Sequence, residues 1–427
     1  MAAAPNTFYQ GVIEGFYGQP WTHDQRMRLL RLLKNLRLNT YVYAPKNDLL
    51  HRRRWKKPYP KKDLKEFSAL GNLARDLDLV LVFSLSPGLN INYSSKADVS
   101  VLIEKFQHVQ EKGFNGFALL VDDIPDKLNE RDRTKFPSLA LAHASLANRV
   151  YKALDCRHFF LCPTYYSFER CNDLHKLYHY LQELGDALAP GIQVFWTGDE
   201  TIARNISSSR IQPVAGELQR KPVIWDNYFA DDYTANRIFM GPLYGRSATL
   251  RTSINGFLLN PSRHFELACL SLISLSEYLK HQALYRPGHA YARMLLQAGG
   301  PKYHSLLKAV ADLYHGPFRR TALARTLAQC VSEARNKPRN TLIKFLRHRG
   351  VKLLKQVWDL EHISNNELYL SVFPFSVQAN KLVKAIEYYL RDLIEEPGMH
   401  DKLRLELHRM GFEAGDEPEK ILLALLG

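Results

Sequence analysis

The sequence predicts an α/β fold: a TIM-like (β/α)8 barrel followed by an all-α helical domain. Three observations carry that expectation. Eight short runs rich in apolar, β-branched or aromatic residues recur between residues 8 and 261, and helical periodicity fills most of the gaps between them. Several runs are nearly continuous in apolar residues, the pattern of strands covered on both faces. From about residue 263 the strand-like runs cease and amphipathic helices take over.

In order, the runs read "FYQGVIEGFYG", "NTYVYAP", "LVLVFSLSP", "GFALLVDD", "HFFLCPTYY", "IQVFWTG", "PVIWDN" and "NGFLLNP". Between the first two, "THDQRMRLLRLLKNLRL" offers Thr22 as an N-cap, and "ADVSVLIEKFQHVQEKG" stops at Gly113. Eight strand–helix repeats within roughly 255 residues match the size of a closed parallel barrel. A doubly wound open sheet would want fewer strands and a Gly-rich phosphate turn, and the sequence contains no such turn. Beyond the last run come "HFELACLSLISLSEYLKHQ", "KYHSLLKAVADLYHG", "NTLIKFLRHRGVKLLKQVWDLEHI", "VQANKLVKAIEYYLRDLIEE" and "HDKLRLELHRMG". The breakers "YRPGHA" and "AGGPKY" place the boundary between residues 280 and 300. The expected division is a barrel over 1–285 and a helical bundle over 286–427.

The ends of the runs are chemically rich. They carry Gly15 and Tyr17; Lys46, Asn47 and Asp48; Ser86; Asp122 and Asp123; Thr164 and Tyr166; Thr197; Asp226 and Asn227; and Asn260. In a barrel these C-terminal ends converge on one face, where active sites sit. The adjacent acids Asp122 and Asp123 stand out, because neighbours on a regular strand point to opposite faces. As the strand curls into its loop that alternation relaxes, and both carboxylates can reach one pocket. Two acids so close share their titration, with one tending to stay protonated while the other remains an anion. Glycoside hydrolysis uses that division of labour. A sugar pocket also wants amides, hydroxyl partners and flat faces; Asn227, Asn260, Lys46, Tyr17, Tyr166, Trp196 and Trp225 can supply them. Each has a structural reading too: either Trp alone is better placed in the core, and Lys46 could pair with Asp48.

The segments "GVIEGFYGQPW", "NTYVYAPKND", "SPGL", "FALLVDDI", "CPTYY", "VFWTG", "PVIWDN" followed by "DDY", and "LLNP" resemble glycoside hydrolase family 84. That family comprises protein O-GlcNAcases and bacterial β-N-acetylglucosaminidases, some of them named hyaluronidases. The likeness runs in order through residues 8–261 and touches all eight strand ends. The helical part resembles the family's bundle in general character only.

The resemblance implies a retaining, substrate-assisted mechanism, in which the 2-acetamido oxygen of the substrate attacks the anomeric carbon and forms an oxazoline intermediate. Asp122 matches the residue that accepts the acetamido N–H, and Asp123 the general acid that protonates the departing oxygen and later serves as base. By the same matching, Gly15 leaves room for backbone contact with the sugar, and Lys46 and Asn260 bind hydroxyls. Asp232 grips the 4- and 6-hydroxyls, and Asn227 contacts the acetamido or nearby hydroxyl region. Tyr166 hydrogen-bonds the acetamido oxygen, while Cys162, Thr201 and Trp225 line the acetamido pocket. Two departures from the family pattern, Tyr165 where Glu is common and Asp199 where Pro is common, bear on leaving-group preference.

Other signals are weaker. His175 and His179 have helix-face metal spacing but no evident third ligand, so a solvated face is the better reading. The run "HRRRWKKPYPKK" packs seven Lys and Arg around Trp55 and Tyr59. Basic residues interleaved with aromatics can bind nucleic acid, although a solvated loop is the simpler reading. With "RHRGVKLLK" and "FRRTALAR" it contributes to a net charge of +15, which would favour acidic or polyanionic partners. The five cysteines form no CxxC pair, which fits free thiols in a reducing compartment. No apolar run approaches the ~20 residues of a membrane span, and "MAAAPNTFYQ" has no signal-peptide pattern. The expectation is a cytoplasmic hydrolase without metal or cofactor, acting on β-linked N-acetylglucosamine of proteins or glycans, whose helical part would allow a homodimer. The alternatives are an exo-acting β-N-acetylhexosaminidase on oligosaccharides and a catalytically silent basic binding module on the same fold.

Overall fold

The computed structural model describes residues 7–234, 237–313, 315–318 and 367–373. Eight parallel strands close into a barrel in sequence order: β1 (Tyr9–Glu14), β2 (Thr40–Tyr43), β3 (Val80–Leu85), β4 (Gly116–Leu120), β5 (His158–Cys162), β6 (Ile192–Trp196), β7 (Val223–Asp226) and β8 (Gly256–Leu259). The last strand pairs back onto the first, with Tyr9 opposite Gly256 and Val12 opposite Leu259. The described α-helices are α1 (His23–Asn35), α2 (Lys61–Asp76), α3 (Lys96–Gln110), α4 (Glu130–Arg133), α5 (Leu139–Leu154), α6 (Leu174–Ala187), α7 (Ser208–Glu217), α8 (Leu250–Ser253), α9 (Phe265–His281) and α10 (Pro287–Leu313). The last is interrupted at Gly300, whose φ is 62°.

Local chemistry sets the helix ends. Thr22 makes a full capping box: its hydroxyl accepts from the Gln25 amide at 3.2 Å, and the Gln25 side chain accepts from the Thr22 amide at 2.9 Å. Ser95, Ser138 and Asp173 cap α3, α5 and α6 in the same donor-satisfying way. Gly113, expected to stop α3, lies three residues past its end with φ +92°, a conformation that favours glycine.

The barrel carries two apolar layers because its strand residues alternate. Tyr9, Ile13, Val42, Ala44, Val82, Ala118, Leu120, Phe160, Phe195, Val223 and Leu258 form the interior cluster. Residues of the opposite phase meet the helices, where Phe83 packs on Phe67, Phe106 and Phe114 with ring centroids 5.7 to 6.0 Å apart. Each such fully buried ring contributes roughly 1.5–3 kcal/mol over leaving it exposed.

The chain divides into two compact units. The first holds all eight strands and ends its last segment at Arg286; the second comprises the described residues of Tyr233–Pro242, of Glu266–Ser274 and from Pro287 onward. The amphipathic runs at 340–363, 377–396 and 400–411, on which the expected bundle and homodimer rest, lie outside the described residues, as do the basic patches at 319–325 and 347–355. Among the described residues no helix is long and apolar enough to cross a membrane. Cys156, Cys162 and Cys171 are free thiols, and Cys330 lies outside the described residues.

Candidate active site

The site is the interior phase of the barrel carried two residues further. Ile13 leads to Gly15, Ala44 to Lys46, Leu120 to Asp122, Trp225 to Asn227 and Leu258 to Asn260, while Cys162 and Trp225 are themselves interior residues. Side chains of period two keep facing the axis as the strands run out, so polar groups at this phase arrive at one mouth.

Asp123 is of the opposite phase, and the backbone brings it back. Its φ is +50°, in the left-handed region that aspartate tolerates better than most residues. That single turn answers the stereochemical objection to adjacent acids sharing a pocket: Asp122 enters in strand phase, and Asp123 enters by a reversal of the chain.

The two carboxylates meet different surroundings. Lys46 Nζ bonds Asp122 Oδ2, with only 2 % and 5 % of the two side chains exposed, and lies 4.0 Å from Asp123 Oδ2. Burial works to lower the lysine's pKa, but Asp122 and Asp123 outweigh it and hold the ammonium above its ordinary value. Asp122 Oδ1 is buried and has no hydrogen-bond partner among the described residues. Asp123 is more open and receives Tyr166 Oη on Oδ1 at 3.0 Å and Tyr17 Oη on Oδ2 at 3.1 Å, with Arg170 3.9 Å from Oδ1. Burial raises the Asp123 pKa; Lys46, the two tyrosine hydroxyls and Arg170 together hold it below the usual carboxylate range. These donors favour the Asp123 anion.

A chain of amides closes the other side. The Gly15 N–H donates to Asn260 Oδ1 at 3.2 Å, and Asn260 Nδ2 donates to Asn227 Oδ1 at 2.8 Å. Asn227 Oδ1 also accepts from Trp225 Nε1 at 2.9 Å, and its Nδ2 donates to the Thr201 carbonyl at 2.7 Å. The Trp225 ring lies 5.6 Å from Lys46 Nζ and so joins this chain to the acids. Gly15 is required by Trp225: a Cβ there would come within 2.3 Å of the indole. Asp232 receives the Tyr17 amide at 2.7 Å. The Cys162 thiol is pushed well up by burial and then by Asp122.

The residues that the family resemblance assigns to the site thus lie in or against one mouth. Some partners differ from expectation. Lys46, read in the sequence as a hydroxyl ligand or an Asp48 partner, pairs with Asp122, while Asp48 takes the hydroxyls of Tyr43 and Tyr59 at 2.8 and 2.7 Å. Tyr166, expected on an acetamido oxygen, here donates to Asp123. Among the departures from the family pattern, Tyr165 donates to Asp126 at 2.8 Å and packs edge-on against Tyr180, and Asp199 pairs with Arg210 at 3.0 Å. Three contributors had escaped the sequence reading as such: Tyr17 as a donor to Asp123, Arg170, and Arg52 from the basic run. In that run Trp55 is fully buried and Tyr59 nearly so, which takes its aromatics away from any stacking surface. His179 faces Glu183 at 3.7 Å, and no group of three metal-ligating side chains occurs among the described residues.

The mouth combines a buried carboxylate oxygen able to accept an N–H with a more open carboxylate able to exchange a proton. The family model described as beta-N-acetylglucosaminidase matches residues 10–312. Protein O-GlcNAcase of Rattus norvegicus and of Mus musculus are each 38% identical to this chain over 280 residues, covering 65% of it and 31% of the relative. The match therefore spans about a third of those relatives' length. An O-GlcNAc hydrolase mutant of Thermobaculum terrenum superposes with a TM-score of 0.89 at 27% identity, covering 99% of this chain and 95% of the other. With the family model spanning most of the chain and the closed barrel beneath it, the chain belongs to the β-N-acetylglucosaminidases of glycoside hydrolase family 84.

Proposed function

We propose that the protein is a retaining β-N-acetylglucosaminidase that uses the substrate's own 2-acetamido group as nucleophile and removes N-acetylglucosamine from Ser or Thr of proteins. The observation that carries this reading is the asymmetry of Asp122. One oxygen is tied to Lys46, and the other is buried without a partner. A buried, unpaired carboxylate oxygen is costly unless something donates to it, and an acetamido N–H is a donor of the right kind. Accepting it would turn the amide oxygen toward the anomeric carbon, and the anion would stabilise the charge that spreads over the amide as the oxazoline forms. Lys46, bonded to the other oxygen, holds the carboxylate in place for that task.

Asp123 serves as general acid toward the departing oxygen and then as base toward water. For Oδ1 to hold a proton its donor Tyr166 must yield, and it does so by turning to the acetamido oxygen, while Tyr17 stays on Oδ2. Asn260, Asn227 and Asp232 supply hydroxyl contacts, and Trp225 and Cys162 wall the acetamido pocket. The names of the O-GlcNAcase relatives support the protein-linked substrate; the family description names only the sugar, which keeps an oligosaccharide substrate as the second reading. The burial of Trp55 and Tyr59 counts against a silent nucleic-acid-binding module.

The test is hydrolysis of a chromogenic N-acetyl-β-glucosaminide, followed by a glycopeptide against a chitin disaccharide. Release of the chromophore, near-total loss in Asp122→Asn and preference for the glycopeptide are expected. An inactive wild-type protein contradicts the enzyme reading, and preference for the disaccharide contradicts the protein substrate.

A further inference from the structure

The loop after β2 is more tightly built than its composition suggests. Asp48 Oδ1 accepts the Leu50 amide at 2.8 Å, and the His51 ring meets the Ser84 carbonyl at 2.9 Å. Trp55, fully buried, donates to Asn90 at 2.6 Å. Lys105, from α3, places its ammonium on three loop carbonyls, those of Leu50, Trp55 and Lys57, at 2.6, 2.9 and 2.7 Å. A loop held at so many points does not need its basic residues for solubility alone, and one of them turns inward.

Arg52 Nη1 donates to the Tyr17 hydroxyl at 2.9 Å, and Nη2 donates to the Asp123 carbonyl at 3.1 Å. Its guanidinium also lies 5.7 Å from the centre of the Tyr17 ring. Two consequences follow from hydrogen-bond polarity. Because the Tyr17 oxygen accepts from Arg52, its own O–H is directed to Asp123 Oδ2, 3.1 Å away. Because Nη2 holds the Asp123 carbonyl, the fork also fixes the peptide that carries the left-handed turn. A planar guanidinium can span both oxygens at once, whereas an ammonium is a point donor.

We infer that Arg52 is a positioning residue for the acid Asp123, acting through both the Tyr17 hydroxyl and the Asp123 carbonyl. The inference rests on the proposed role of Asp123 as general acid. A carboxyl misplaced by about 1 Å can cost roughly 10²-fold in rate, and the cost falls on leaving groups that need a proton.

The experiment compares wild type, Arg52→Gln, Arg52→Lys and Tyr17→Phe on aryl N-acetyl-β-glucosaminides of graded leaving-group acidity, with a crystal structure of Arg52→Gln. The expected result is a kcat loss of roughly 10²-fold on poor leaving groups that shrinks on good ones, with KM little changed. Tyr17→Phe should show the same trend if Arg52→Gln does not fold, and Arg52→Lys should fail to restore the rate. Asp123 should leave its left-handed turn in the Arg52→Gln structure. Equal losses across leaving groups, full activity in Arg52→Lys, or an unmoved Asp123 would each overturn the assignment. The crystallographic arm stands whether or not the wild type hydrolyses these sugars, so a failure of the activity reading is told apart from a failure of this one.

Discussion

Lys46 binds one oxygen of Asp122 and leaves the other bare, although the two residues lie 76 positions apart in sequence. Both sit in the interior phase of the barrel, two residues beyond Ala44 and Leu120. The pair is almost wholly buried, so its two charges are interdependent in a way surface pairs are not.

Replacing Lys46 by Met should therefore leave a buried carboxylate without its counter-charge. Removing one partner of such a pair costs about 3–5 kcal/mol. Denaturant unfolding should show the destabilisation, and turnover of a chromogenic substrate should collapse with it. Wild-type stability in Lys46→Met would mean that the pair is far better solvated than its burial indicates.

Gly15→Ala tests the fit between β1 and the Trp225 indole. The new Cβ would sit 2.3 Å from the ring, so the indole must shift and strain its bond to Asn227. Overpacking of this kind costs about 1–3 kcal/mol. A lowered unfolding midpoint, a shifted tryptophan emission and a raised KM are expected together.

Tyr166→Phe removes a donor that favours the Asp123 anion. The Asp123 pKa should rise, so its protonated form persists to higher pH. The basic limb of the pH profile of kcat/KM should move upward even as the maximum falls. A limb that stays in place would separate that limb from Asp123.

His143 carries a prediction about stability alone. It is fully buried between the hydroxyls of Tyr180, at 2.8 Å, and Tyr93, at 3.2 Å, and burial pushes its imidazole from 6.5 down to about 3. Between those values the unfolded chain binds a proton that the folded chain does not. Stability should fall as pH drops through that window, and His143→Gln should flatten the slope there. Melting temperatures of the two proteins from pH 7 to pH 4, measured in parallel, would reveal an unchanged slope if the imidazole were in fact solvated.

The barrel was legible in the sequence because its strands are buried on both faces and so read as apolar runs, and its helices announce themselves with caps such as Thr22. The site was legible for a related reason: period two carries straight from Leu120 to Asp122 and from Leu258 to Asn260. Strand-end polarity alone was a less selective guide. Asp226 is fully buried in a bidentate pair with Arg246, at 2.7 and 2.5 Å, and Asp48 organises its loop. What escaped were relations between loops. The positive φ of Asp123, the approach of Arg170 and the inward turn of Arg52 each depend on chain segments distant in sequence. The buried Trp55 reversed the meaning of a basic and aromatic run that resembled a binding surface.

The division of labour between Asp122 and Asp123 is tested most directly by the leaving-group dependence of their asparagine variants. Rates of Asp122→Asn and Asp123→Asn would be measured on aryl N-acetyl-β-glucosaminides spanning poor to good leaving groups. Asp122→Asn should lose activity on every substrate, since the nucleophile itself is no longer held; Asp123→Asn should approach wild-type rates as the leaving group ceases to need a proton. A uniform loss in Asp123→Asn, or a loss in Asp122→Asn that vanishes with good leaving groups, would contradict the assignment.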